Sequence, residues 1–84
     1  MLYPNLADVG QSRNEEYIKA FGEHIKTLRS SRGLSREKLS AMSDIEVMQI
    51  YRIETGKVNT TISTLQAIAK AMNVPPKKLL DFEY

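Results

Sequence analysis

The chain contains no cysteine. That excludes a disulfide framework, a thiolate zinc site and a cysteine nucleophile. It has a single histidine, His24, so a multi-histidine metal centre is excluded and histidine-based catalysis is not expected. No apolar run approaches the roughly 20 residues that a membrane span needs. The opening MLYPNLADVG lacks a basic region followed by an apolar stretch, so no secretory leader is expected. There is no glycine-rich phosphate loop, no repeat, no low-complexity tract and no alternating strand pattern. An enzyme needs a nucleophile–base pair or a metal set in a pocket, and none is in view. No cofactor, metal or small-molecule ligand is indicated, and the cytoplasm is the expected location.

What is present is ordinary for a small globular chain. Of 84 residues, 42% are apolar and 26% charged, within the usual range. A single domain of this size buries only about 60% of the surface its unfolded chain exposes. Its core alone is worth about 3–5 kcal/mol. Net charge is +2, a mild bias. The distribution is more telling. Between His24 and Lys57 seven basic residues face four acids, while the flanks together carry a slight negative excess. The basic surplus lies in the middle, where an anionic partner such as DNA is met.

The helical signals follow in order. Residues 1–14, with Pro4 and Gly10 and no periodicity, read as an arm. Asn14 is a good N-cap, and Glu15 and Glu16 suit the positive end of a helix dipole. Ile18, Phe21, Ile25 and Leu28 then form one apolar stripe, closed by Gly33, giving a helix over about 15–32. His24 falls on the outer side, opposite Ile18 and Ile25, and reads as plain surface. Ser35 caps a second helix at about 36–42, with Leu39 and Met42 facing inward. A third helix at about 46–55 carries Ile50 and Ile53 and ends at Gly56. After a polar loop, Ser63 with Gln66 forms a capping box, and Leu65, Ile68, Ala69 and Met72 line a fourth helix at 64–72. Pro75-Pro76 stops it, and a short fifth helix at about 76–81 carries Leu79 and Leu80. Residues 15–84 therefore read as an all-α domain of five helices.

The stretch REKLSAMSDIEVMQIYRIET, Arg36 to Thr55, is the informative object. Two short helices joined by a three- to four-residue turn make a helix-turn-helix unit. Its fifth position must be small because the helices cross there, and it is Ser40. Its ninth must tolerate a left-handed turn, and it is Asp44, one of the few non-glycine residues that can. Its tenth, fifteenth and eighteenth must be apolar to seal the unit on the core, and they are Ile45, Ile50 and Ile53.

Here the chain resembles a family. IKTLRSSRGLSREKLS, followed by IYRIETGKVNTTISTLQAIAKAMNV, is similar to the Cro and phage-repressor type of helix-turn-helix protein, the XRE family, over Phe21 to Leu80. The resemblance implies a lambda-repressor-like five-helix domain and a transcriptional regulator. It implies sequence-specific binding to double-stranded operator DNA as a two-fold homodimer, with the third helix in the major groove. By the family pattern the groove is lined by Glu46, Val47, Met48, Gln49, Tyr51 and Arg52. Ser35, Arg36, Lys57, Asn59 and Thr60 take phosphates. Arg29 and Glu54 form an ion pair tying the first helix to the third. The dimer seam falls on the apolar end, Leu79, Leu80, Phe82 and Tyr84. Stand-alone regulators of this kind include the controller proteins of restriction–modification systems and some antitoxins.

The chain departs from the pattern at three places. Relatives carry glutamine where Arg36 stands, glycine where Asp44 stands, and serine or threonine at Glu46. The tip Glu46-Val47-Met48 is poor in hydrogen-bond donors, so recognition there rests on few polar contacts or on DNA shape. The same acidic, apolar tip motivates the alternative of a protein-binding adaptor on the same fold. Asp44 and Glu46 alone are too few for a metal site.

Overall fold

The structure, a computed structural model, describes residues 13–84. The chain folds as α1 (Glu15–Ser31), α2 (Arg36–Ser43), α3 (Val47–Glu54) and α4 (Ile62–Met72), followed by a 3₁₀ helix over Pro76–Leu80. No strand occurs among the described residues. The arm expected over residues 1–14 lies outside them, except for Arg13 and Asn14.

Local chemistry sets most of the boundaries. The Asn14 side chain accepts from the Tyr17 N–H and opens α1, where Glu15 and Glu16 occupy the first turn. Ser35 accepts from the Lys38 N–H and opens α2. Asp44 and Asn73 stop α2 and α4 in the left-handed conformation, at φ 59° and 58°. Their short polar side chains tolerate it.

Three expectations are corrected. The cap of α4 is Thr61, not Ser63: its hydroxyl accepts from the Thr64 N–H at 3.2 Å. The helix therefore begins two residues earlier, since its first backbone bond, Leu65 N–H to the Thr61 carbonyl, is already available at 3.0 Å. Nor is the fifth element an α-helix. The element is only five residues long, the length at which the tighter helix is used, and it closes by i+3 bonds, Lys78 N–H to the Pro75 carbonyl and Asp81 N–H to the Lys78 carbonyl. Met42, finally, is about half exposed, while Leu39 of the same helix is the residue that enters the core.

The core gathers one or a few residues from every element. Phe21 and Ile25 of α1 meet Leu39 of α2, Ile50 and Ile53 of α3, Ile68 and Met72 of α4, and Leu79. α1 and α3 approach so closely at Gly22 that a Cβ there would collide with the carbonyl oxygens of Ile53 and Glu54. Gly22 lies on the same stripe as Ile18, Phe21 and Ile25 and is itself buried. A glycine inside a helix costs roughly 1 kcal/mol relative to alanine, and here the helix crossing requires it.

His24 is not plain surface. Its Nε2 donates to the Lys78 carbonyl at 2.8 Å, and because a carbonyl only accepts, Nε2 carries the hydrogen. The ring also packs on Phe82 at 5.3 Å. Phe82 in turn meets Tyr17 at 5.1 Å and Phe21 at 6.3 Å, and Tyr84 meets Tyr17 edge-on at 4.9 Å. Such pairs are worth about 0.5–1.5 kcal/mol beyond the area they bury. The tail is thereby folded back along the outer side of α1.

Gly22→Ala is expected to destabilise the fold by about 1–3 kcal/mol through overpacking, despite alanine's higher helix propensity. A thermal melt lowered by at least about 4 °C checks it; an unchanged or raised midpoint contradicts the close crossing.

Candidate nucleic-acid interface

The α2–turn–α3 unit is fastened from within. The Ser40 hydroxyl donates to the Ile45 carbonyl across the turn, and its size lets the helices cross. The Ser43 hydroxyl donates to the Leu39 carbonyl at 2.7 Å and accepts from the Ile45 N–H at 3.3 Å. Ile50 and Ile53 are fully buried, and Ile45 is partly buried against the same core. These apolar contacts turn one side of α3 inward and leave the other to solvent.

A polar cluster fixes the same inward side. Arg29 Nε donates to Glu54 Oε2 at 2.6 Å, and Arg29 Nη2 donates to Glu54 Oε1 at 3.0 Å. Arg29 Nη1 donates to the Leu34 carbonyl at 2.8 Å. Arg36 Nε adds a third bond to the carboxylate, reaching Oε1 at 2.8 Å. The Glu54 side chain is 1% exposed, Arg29 10% and Arg36 30%. Hydrogen bonding to Glu54 raises the Arg29 guanidinium above its ordinary pKa, against the opposing pull of desolvation. A buried carboxylate is tolerated only with such full pairing, and here all three donors come from α1 and α2 to meet α3.

The residues expected at the groove divide by exposure. Met48, Tyr51 and Arg52 are exposed and, at helical spacings of three and four, share one side of α3. Val47 and Gln49 are half-buried. Glu46 is the exposed N-cap of α3, and its side chain makes no capping hydrogen bond. Its carbonyl accepts from the Gln49 and Ile50 N–H groups, and its carboxylate sits at the favourable end of the helix dipole.

The residues expected at phosphates are placed less uniformly. Lys57 and Asn59 are exposed. Ser35 is exposed, with its hydroxyl accepting from the helix it caps. Arg36 is not a free surface cation: it is tied to Glu54, and its guanidinium carbon lies 5.2 Å from the centre of the Tyr51 ring. Thr60 departs further, because its hydroxyl is buried and has no hydrogen-bond partner among the described residues. A side-chain contact from Thr60 to phosphate is therefore not what the loop presents.

The expected seam is corrected as well. Leu79 is wholly inside the monomer core and cannot face a second copy. Phe82 is half-buried against α1. Leu80 and Tyr84 remain exposed, beside Tyr17. Tyr17 and Leu80 also line a small cleft of about 100 Å³ with Ile18, Phe21 and Leu65. Sequence reasoning missed Gly22, Tyr17 and the fastening role of His24. Only Gly22 carried a local signal, a glycine on the apolar stripe of a helix.

Residues 25–79 match the helix-turn-helix family model, and the chain belongs to that family, of the XRE type. It is a transcription regulator of the helix-turn-helix type. Control protein C.BamHI of Bacillus amyloliquefaciens is 38% identical over 63 residues, 74% of this chain and 78% of that protein. Control protein C.SmaI of Serratia marcescens is 36% identical over 58 residues, 69% of each. The crystal structure of the restriction-modification controller protein C.AhdI from Aeromonas hydrophila superposes with a TM-score of 0.73 at 27% identity, covering 79% of this chain and 98% of that one.

Removing the shared carboxylate strands two guanidinium groups. Glu54→Ala is expected to cost about 3–5 kcal/mol, which a urea midpoint measures. A loss below about 1 kcal/mol would show that the cluster does not hold α3 in place.

Proposed function

We propose that the chain binds operator DNA sequence-specifically as a homodimer, with α3 in the major groove. The observation that carries this reading is the outward side of α3: Met48, Tyr51 and Arg52 exposed on a helix whose other side is fixed by Ile50, Ile53 and Glu54. Arg52 donates two hydrogen bonds to guanine O6 and N7, Gln49 pairs with adenine, and Val47 and Met48 meet thymine methyls. Glu46, whose carboxylate caps nothing, accepts from a cytosine amino group. Ser35 and Arg36 at the start of α2, with Lys57 and Asn59 on the loop, meet phosphates and set the register. The central basic excess of the sequence supports this placement.

The exposed apolar Leu80, Tyr84 and Tyr17 form the seam between two copies. Dimerisation also stabilises a small domain by mass action. Two reading helices then stand about 34 Å apart, one turn of DNA, on a near-palindromic site. The likeness to control proteins C.BamHI and C.SmaI and to the restriction-modification controller C.AhdI supports a role in a restriction–modification system, in the cytoplasm. The half-exposed Met48 beside Glu46 favours, as a second reading, a protein-binding adaptor or an antitoxin of a toxin–antitoxin pair.

Selection from random duplexes is the direct experiment, since it returns the operator and its symmetry together. The adaptor reading prevails if micromolar protein shows no salt-dependent binding to duplex at low ionic strength. On the selected site Arg52→Ala is expected to cost about 1–3 kcal/mol and to relax preference at one base pair. Lys57→Ala is expected to weaken all sequences alike and to lower the salt slope by about 1; a sequence-selective loss contradicts a phosphate role. Leu80→Asp is expected to shift the sedimentation mass toward the monomer and to make the melting midpoint independent of protein concentration. A persistent dimer would move the seam elsewhere.

A further inference from the structure

Arg36 touches both the buried ion cluster and the exposed side of α3. From the first position of α2 its Nε reaches Glu54 Oε1 at 2.8 Å, while its guanidinium lies over the Tyr51 ring at 5.2 Å. Tyr51 and Glu54 are three residues apart on α3, so the buried Glu54, at the edge of the inward side, neighbours the exposed Tyr51 one turn away. One side chain of α2 therefore grips two successive turns of α3.

Glu54 is already engaged without Arg36. Arg29 meets both carboxylate oxygens, at 2.6 and 3.0 Å. The cluster holds two guanidinium groups against one carboxylate, so one positive charge is left over, and it belongs to the more exposed member, Arg36. Neither of its Nη groups makes a hydrogen bond among the described residues. The guanidinium is thus tied at Nε, backed by an aromatic ring, and without a hydrogen bond at either Nη among the described residues. A planar fork in that state matches a phosphate, which it can take without releasing Glu54.

We infer, resting on the DNA-binding reading, that Arg36 is a positioning residue that couples a backbone phosphate at the start of α2 to the orientation of Tyr51. Tyr51 is thereby a specificity-determining side chain, and its discrimination depends on Arg36. With Nε held by Glu54 the guanidinium is anchored, and its carbon lies over the Tyr51 ring at 5.2 Å from the centroid. Without it, a ring that is 44% exposed regains the freedom of its own rotamers, and what its hydroxyl selects is blurred. Lysine cannot replace Arg36 here, because an ammonium has neither the planar face nor separate inner and outer donors.

The test is a double-mutant cycle read on DNA, using the full chain. Wild type, Arg36→Lys, Tyr51→Leu and the double variant are titrated against the selected operator and its single-base variants at two salt concentrations. Arg36→Lys keeps the charge, so the salt slope is expected to stay unchanged, while discrimination at one base pair falls to that of Tyr51→Leu. In the Tyr51→Leu background Arg36→Lys is expected to do little more. The two effects then fall short of additivity by about two- to fivefold, the worth of an exposed cation–π contact. Tyr51→Phe, which keeps the ring but lacks the hydroxyl, is expected to lose the same discrimination as Tyr51→Leu. Arg36→Gln supplies a second break that leaves Glu54 paired with Arg29, and a retained melt is expected for it. Additive effects, or discrimination untouched by Arg36→Lys, overturn the inference and leave DNA binding standing. Absence of salt-dependent binding by the wild type overturns both.

Discussion

The carboxylate of Glu54 accepts three hydrogen bonds from two guanidinium groups, and the placement of α3 depends on them. Apolar contacts of Ile50 and Ile53 bury one side of the helix, but hydrophobic burial is non-directional and tolerates small rotations. A carboxylate bound by donors from α1 and α2 does not. A turn of α3 that lifted Glu54 out of reach would leave charged groups unpaired in a low-dielectric interior, at several kcal/mol. The ion cluster therefore contributes orientation more than net stability. Gly22 supports the same geometry by letting the α1 backbone run against the carbonyl oxygens at the end of α3. A chain of 84 residues thus fixes the rotation of one short helix with a single buried carboxylate.

The sequence carried those features whose cause is local. Asn14, Ser35, Asp44, Asn73 and the glycines after α1 and α3 announce helix ends because caps and left-handed stops are decided by one or two residues. The apolar spacings located α1 and the inner side of α3 for a similar reason. Where two local signals competed, the outcome was less accessible: Thr61 and Ser63 are both good caps, and the extra backbone bonds of the earlier start decide between them. The short C-terminal element carries helix signals in the sequence, but over only five residues it closes by the tighter 3₁₀ bonds instead.

What was not readable is what depends on contacts between distant residues. Arg36 and Glu54 are 18 positions apart and Arg29 and Glu54 are 25 apart. The family resemblance supplied the second pair, and nothing supplied the first. His24 looked idle on a helical wheel because the wheel knows nothing of Lys78 and Phe82, which return to it from the far end of the chain. The family pattern implies outside partners for Thr60 and Leu79, and both turn inward. Exposure is a property of the assembled molecule, and for residues near an element's end it is settled by a few degrees of backbone.

The division of labour within α3 has an evolutionary consequence. The inward residues Ile50, Ile53 and Glu54 answer to the fold, whereas Met48 and Arg52 touch little that stabilises it. Surface positions of that kind usually change stability by under about 0.5 kcal/mol when replaced. The outward side of such a helix can drift, or be rewritten by hand, without jeopardising the scaffold that presents it. Tyr51 is the exception on that outward side, because its ring is leaned on by Arg36. A regulator diverging from this one is free to alter its neighbours singly, but has to change Tyr51 and Arg36 as a pair.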